Sequence, residues 1–304
     1  MIVHLTTTAN GATLAEFAGD RAATSGVDLR QMTYPQLFEA DPAPLPRAAW
    51  IFSDFDLLDP RSTSLAARIW HALAARGDRL LNHPARSMRR YELLRTLHDR
   101  GVNDFDVQLA TDPRRPRRYP VFARWANAHS GPISKLIPDA AALERYLDRC
   151  IATGRLRDEM LIVELCDTRE ANGLIREYGA YCIGDRILPE HLWFSAQWAI
   201  KMRSAWDLGG ARVDRAALLQ EEVRYIAENP HEAELKRIFA LARIDYGRID
   251  YGLRDGRIQV WEINGNPLVS FDWVAPPGRD VAALVGRFTA QFGAALAALD
   301  RGLA

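Results

Sequence analysis

Lysine is nearly missing from this 304-residue chain: Lys135, Lys201 and Lys236 stand against 36 arginines. GC-rich coding bias accounts for such a split, and a lysine kept against it is a candidate for a specific task. Net charge is missing too, with 39 basic and 39 acidic residues. No global field would then draw the chain to nucleic acid or an anionic membrane. Cysteine is scarce: Cys150, Cys166 and Cys182 show no CxxC spacing, and an odd count cannot close a disulfide framework. No apolar run approaches the roughly 20 residues that span a bilayer. The first residues, MIVHLTTTANG, lack the basic-then-apolar layout of a signal peptide. These absences lead to the expectation of a soluble, cytoplasmic protein with no membrane or nucleic-acid partner. What remains is a chain that is 48% apolar, enough for two or three subdomains with a sizeable core.

The first eighty residues alternate between periods. IVHLTT (2–7), DLRQMTY (28–34), AAWIFSDF (48–55) and RLLNHP (79–84) read as strands, and 11–23 and 61–77 as helices. That alternation predicts an α/β unit with a parallel or mixed sheet. Past a basic helix at 86–100 the pattern changes. DFDVQLA (104–110), YPVFARWAN (119–127) and MLIVELCD (160–167) read as strands, with a further strand after the loop AHSGPIS and a helix at 139–154 behind Asp139 as N-cap. A hairpin turns at Gly184-Asp185, two helices follow near 214–228 and 231–243, and a second hairpin turns at Asp255-Gly256. The tail, 280–299, reads as an amphipathic helix.

Chemistry is densest in RIDYGLRDGRIQVWEINGNP, residues 248–267. Asp250 lies five residues before the turn and Glu262 six after it, almost opposite each other on an antiparallel pair. Glu262 and Asn264 are two apart and share a face. The three oxygen side chains fit a hard ion such as Mg²⁺, or equally a solvated polar hairpin face. Asn264 and Asn266 flanking a glycine are poor strand formers, which favours the metal.

The run R-I-D followed by E-I-N-G-N-P resembles the metal-binding end of the ATP-grasp superfamily, in which an aspartate on one strand and Glu-x-Asn on the next hold magnesium. Other segments agree in order. LLNHPARSMRRYELLRTLHDRG (80–101) is similar to the Asn-x-Pro helix before the nucleotide domain. YPVFARW is similar to the strand that carries an ATP-binding lysine, HSGPIS to the loop over the phosphates, and MLIVELCDT to the strand and hinge that clasp adenine. The resemblance implies an α/β (α+β) ATP-grasp fold: a preceding α/β domain (1–84), a small central subdomain (85–165) and a C-terminal subdomain with the metal site (166–304). It implies ATP with Mg²⁺, or Mn²⁺ in its place, and a small-molecule or peptide-like substrate; a homodimer stays open. Asp250, Glu262 and Asn264 become metal ligands. Glu164, Leu165 and Cys166 would meet the adenine edge, and Asp167 the ribose. Arg248 would face an acyl-phosphate, Arg176 the phosphates, and Lys201 and Arg203 the γ-phosphate or acyl group.

Two departures stand out. Where the family has lysines, this chain has Arg90 (or Tyr91, the register being open) and Arg124, which keep charge but not shape. The loop HSGPIS is poor in glycine; His129 within it reads as a solvated residue or a phosphate donor. Trp193, Trp198 and Trp206, near Lys201, read as core or as a lid. The implied activity is a carboxylate–amine (or carboxylate–thiol) ligase forming ADP. A kinase of the same fold and a non-catalytic ATP-binding module are the alternatives.

Overall fold

A computed structural model describes residues 1–40, 45–129, 131–270 and 276–300, apart from the side chains of Asp20 and Arg203. Three sheets divide these residues, each with the pairing its sequence period favours. The first is built from β1 (Ile2–Thr6), α1 (Asp20–Thr24), β2 (Leu29–Thr33), α2 (Tyr34–Glu39), β3 (Ala49–Phe52), α3 (Pro60–Ala75) and β4 (Arg79–Leu81). Its strands run parallel in the order β2-β1-β3-β4. The central β1 and β3 are buried throughout, as expected of parallel strands covered on both faces.

The second sheet follows α4 (Arg90–Asp99). It is antiparallel, ordered β5-β7-β6, from β5 (Val107–Leu109), β6 (Val121–Trp125) and β7 (Met160–Glu164). α5 (Ala140–Ala152) packs Leu143, Leu147 and Cys150 against it, and Asp139 caps that helix by accepting from the Ala142 amide at 2.8 Å.

The third sheet is antiparallel in the order β11-β10-β8-β9. It contains β8 (Ile175–Ile183), β9 (Arg186–Ser195), β10 (Tyr246–Arg254) and β11 (Arg257–Asn264), with α6 (Arg215–Glu228) and α7 (Glu232–Ala242) inserted between the two hairpins. α8 (Val281–Asp300) sends Phe288, Phe292, Leu296 and Leu299 into a core shared with Tyr181 and Tyr246 of the third sheet and Ile2 and Ile51 of the first. By length and composition α8 could cross a membrane. That corrects the expectation that no run approaches such a length.

Asn82 fastens the first sheet to the third. Its backbone is left-handed, and its side-chain amide donates to the Phe52 and Tyr246 carbonyls at 3.3 and 2.9 Å. Its oxygen accepts from the Asp245 and Tyr246 amides at 2.7 and 3.0 Å. The start of β10, and hence Arg248 and Asp250, is thereby fixed.

Two local expectations fail, and one element goes unexpected. The helix expected over 11–23 shrinks to α1, because Gly11 and Gly19 bracket a turn that drops Leu14 and Phe17 into the core. The strand expected after the AHSGPIS loop is only two isolated bridges, Arg124 to Pro132 and Val121 to Ile137. α2 was not expected, although Thr33 and Gln36 form a capping box around Pro35.

Candidate functional site

The hairpin places its carboxylates as its register requires. Asp250 pairs with Glu262 and Arg248 with Asn264, and a bulge follows Asp250. The neighbouring β8 sets Gly179 opposite Asp250, so Glu177, two residues away, lies on the same face. Asp250, Glu262 and Glu177 all line one cleft between the second and third sheets. Its inner wall is apolar, from Leu94, Phe105, Phe122, Val163, Ile175 and Trp198. The Phe122 and Trp198 rings meet at 5.1 Å.

Glu262 is the electrostatic centre. Its Oε2 accepts from Arg90 at 2.8 Å and from Arg124 at 2.5 Å, and its Oε1 lies 3.9 Å from His129 Nδ1. Burial alone would raise its pKa, but Arg90, Arg124 and His129 outweigh burial and hold it well below the usual carboxylate range. Asp250 behaves oppositely: burial pushes it up, Arg248 only partly offsets this, and the charge on Glu262 adds to the rise. Burial and then Asp250 push Glu177 well up. His129 is 3.2 Å from Asp56, in the turn after β3, and its Nδ1 is 2.9 Å from the Arg90 guanidinium. Burial would lower its pKa, yet Asp56 and Glu262 beside it lift it to about 9.

The other expected residues divide. Glu164, Leu165, Cys166 and Asp167 line the cleft. The Glu164 and Leu165 amides, however, already donate to the Asp106 and Pro120 carbonyls, both at 3.0 Å. Of the backbone groups expected to meet a base there, these two amides are thus already engaged. The Glu164 carboxylate accepts from the Arg117 and Arg118 amides at 3.0 Å and holds the loop above β6. Lys201 reaches the cleft and lies so close to Gly131 that a Cβ there would collide with its ammonium. Gly131 also has φ near +85°, so this glycine is doubly required.

Arg90 does not open onto the cleft as a free phosphate donor. Its guanidinium donates to the Trp125, Ala126 and Ala128 carbonyls at 3.1, 2.9 and 2.8 Å as well as to Glu262. Arg176 is a clearer correction. It sits on the strand face opposite Glu177, pairs with Glu221 at 2.6 Å and with Glu170, and covers the Phe194 ring. It is not among the cleft residues. Asn264 shares the face of Glu262, and its side-chain oxygen accepts from the Asn266 amide at 2.8 Å. The Arg203 side chain and Ser130 of the HSGPIS loop lie outside the described residues. Of the tryptophans, Trp198 walls the cleft, Trp206 is buried, and Trp193 stacks on His191.

Reading from sequence missed Glu177, Asp56 and the pair Glu190–His191. Glu177 carried a signal, a lone acid in the otherwise apolar alternation of β8. Pro189 inside a strand signalled an irregularity beside Glu190.

Arg248 lies behind Asp250, donating at 2.9 and 3.1 Å to its two oxygens. The donor set fits a hard divalent cation: facing oxygens of Asp250 and Glu262, with Asn264 beyond and surplus buried acidity at Glu177. Among the described residues no three His, Cys, Asp or Glu side chains converge tightly enough to hold a metal alone. An ion here would need water and phosphate oxygens, as Mg²⁺ usually does.

No family model matches this sequence, and no curated protein matches it either. Solved structures do. A D-alanine–D-alanine ligase from Bacillus anthracis superposes with a TM-score of 0.53 at 13% identity, covering 99% of this chain and 95% of its own. The ATP-grasp ligase PsnB, solved with a phosphomimetic variant of its minimal precursor, Mg and ADP, gives 0.56 at 14% identity over 98% and 96%. The D-cycloserine synthetase DcsG gives 0.54 at 15% over 94% and 99%. The chain has the ATP-grasp fold. The cleft bounded by Val163, Cys166, Lys201 and Glu262 lies between the second and third sheets of that fold.

Proposed function

We propose that this chain is an ATP-dependent, ADP-forming ligase that activates a carboxylate as an acyl-phosphate for attack by an amine. The observation that carries this reading is the pairing of Asp250 with Glu262 inside the cleft, with Arg248 directly behind Asp250. In this reading the adenine enters the apolar slot between Phe122, Trp198 and Val163, and Asp167 at the rim meets the ribose. Lys201 and Gly131 close over the phosphates. Asp250, Glu262 and Asn264 would hold Mg²⁺, which would offset phosphate charge when bound. Arg248 stabilises the charge that develops on the reacting acyl-phosphate. Catalysis is then mostly positioning and charge neutralisation, as in phosphoryl transfer generally.

The substrate is a small amino acid or a peptide. PsnB, with nearly the same extent, binds a precursor peptide, and the D-alanine–D-alanine ligase is named for a small one. The non-catalytic alternative draws on Arg90 and Arg124, which already engage Glu262.

The test is a screen of the twenty amino acids and short peptides as carboxylates, with Mg·ATP and hydroxylamine. Hydroxamate with stoichiometric ADP and phosphate is the expected outcome. A stable phosphorylated product would indicate a kinase, and nucleotide binding without turnover of any substrate would indicate a module. Glu262→Gln should lower turnover by about 10²–10³-fold, the scale for removing one preorganised charge contact. Near wild-type turnover would remove Glu262 from the metal site.

A further inference from the structure

A second, smaller cavity is lined by Glu190, His191, Trp193, Met202, Arg248 and Leu268. Arg248 links it to the nucleotide cleft, because it grips Asp250, which lines that cleft. The base of this cavity is made by a bulge. β8 and β9 pair regularly except that Gly179 faces His191 while Ala180 faces Pro189. Glu190 is therefore the extra residue. In a regular strand it and His191 would point to opposite faces; the bulge turns them together, as bulges do where a side chain is re-aimed. His191 Nδ1 lies 3.0 Å from Glu190 Oε2, and Glu190 Oε2 is 3.5 Å from Arg248.

Both residues are buried, Glu190 at 4% and His191 at 2% exposure. Burial would raise the Glu190 pKa, but Arg248 and His191 prevail and keep it an anion. An anionic carboxylate only accepts, so Nδ1 of His191 donates to Glu190 and Nε2 is the ring nitrogen left to exchange a proton. That Nε2 is buried and has no hydrogen-bond partner among the described residues. A buried polar atom without a partner is costly and calls for a reason. The ring is also immobilised. It stacks on Trp193 with centroids 3.9 Å apart, and it lies over Gly179, where a Cβ would collide with it.

We propose that His191 is the base that takes the proton from the attacking amine, with Glu190 as its positioning residue; this rests on the ligase reading above. The nucleophile is a primary amine seated in the small cavity between Trp193 and Leu268. As its nitrogen bonds to the acyl carbon, the carbon–oxygen bond to phosphate breaks and the electron pair leaves on the phosphate. The proton shed by the nitrogen passes to Nε2 of His191. His129, the other histidine near the reacting groups, is already engaged by Asp56, Glu262 and Arg90.

The test compares two nucleophiles on the carboxylate found by the hydroxamate screen. One is the amino acid that wild type uses as amine, and the other is hydroxylamine, an unprotonated and intrinsically strong nucleophile at neutral pH. His191→Gln should lose at least about 100-fold in amide formation, and hydroxylamine should rescue product formation to within a few-fold of wild type. Glu190→Gln should show a smaller loss, in kcat and not in KM for the amine, again rescued by hydroxylamine. Equal losses with both nucleophiles, or no loss with either, would overturn the assignment. The ligase reading is judged separately, on wild type alone: a wild-type chain that makes no hydroxamate removes that reading and this base with it.

Discussion

Glu222 and Glu262 are both held by arginine, and they differ in a way that separates framework from site. Glu222 on α6 meets Arg279 in two hydrogen bonds of 2.7 and 2.9 Å, both side chains 1% exposed. Among the described residues this is the pair's bidentate contact. Glu262 instead draws two arginines and His129 from α4, β6 and the loop beyond it, and it faces two more carboxylates, Asp250 and Glu177. A bidentate buried pair serves packing. An over-supplied carboxylate at the floor of a cleft has charge arranged for something that enters.

The sharpest way to break that contrast is at the framework pair. Arg279→Ala leaves Glu222 buried without its bidentate partner and should cost about 3–5 kcal/mol of stability, read by urea denaturation. Glu222→Leu with Arg279→Met should recover most of it, since an apolar pair of similar volume is often neutral. Glu262→Gln should cost only about 1–2 kcal/mol, because the amide oxygen still accepts from Arg90 and Arg124 and the cleft admits water. The two sites should also part under nucleotide. Mg·ATP at 100 times its Kd stabilises a binding protein by about 2.7 kcal/mol; the Arg279→Ala chain should keep that increment and Glu262→Gln should lose it. An equal increment in both would mean that Glu262 belongs to the framework too.

A finer probe is Arg124→Lys. The resemblance predicts lysine on this strand, but here the guanidinium reaches Glu262 at 2.5 Å from a buried position. A shorter point charge cannot reproduce that contact. Nucleotide affinity should fall about tenfold, or 1.4 kcal/mol, measured by calorimetry. A gain in affinity would show that arginine at this position is an accident of composition.

What could be read from the sequence follows sequence distance. The turn at Asp255-Gly256 fixes the register of β10 and β11, so the pairing of Asp250 with Glu262 was local information. Arg90 reaches Glu262 across 172 positions, and Glu177 joins Asp250 only because β8 pairs with β10. Neither is visible in spacing. The Glu190–His191 pair depends on a one-residue bulge, which reverses the facing that strict alternation gives. The helix expected over 11–23 failed because burial of Leu14 and Phe17 in a turn outweighed helical propensity, while α2 was encoded by a capping box that went unread.

Arg176 is where sequence order and strand geometry disagree most directly, and it makes the smallest prediction. It neighbours Glu177, and neighbours on a regular strand cannot both face one cleft. Glu177 faces Asp250, so Arg176 must face α6, where it pairs with Glu221 and covers Phe194. Arg176→Ala should therefore cost about 1 kcal/mol through the partly exposed pair and the cation–π contact. It should change nucleotide affinity less than twofold. A fivefold or larger loss in affinity would mean that the side chain leaves Glu221 for the phosphates when nucleotide binds. The face of β8 that carries Glu177 would then no longer mark the boundary between framework and site.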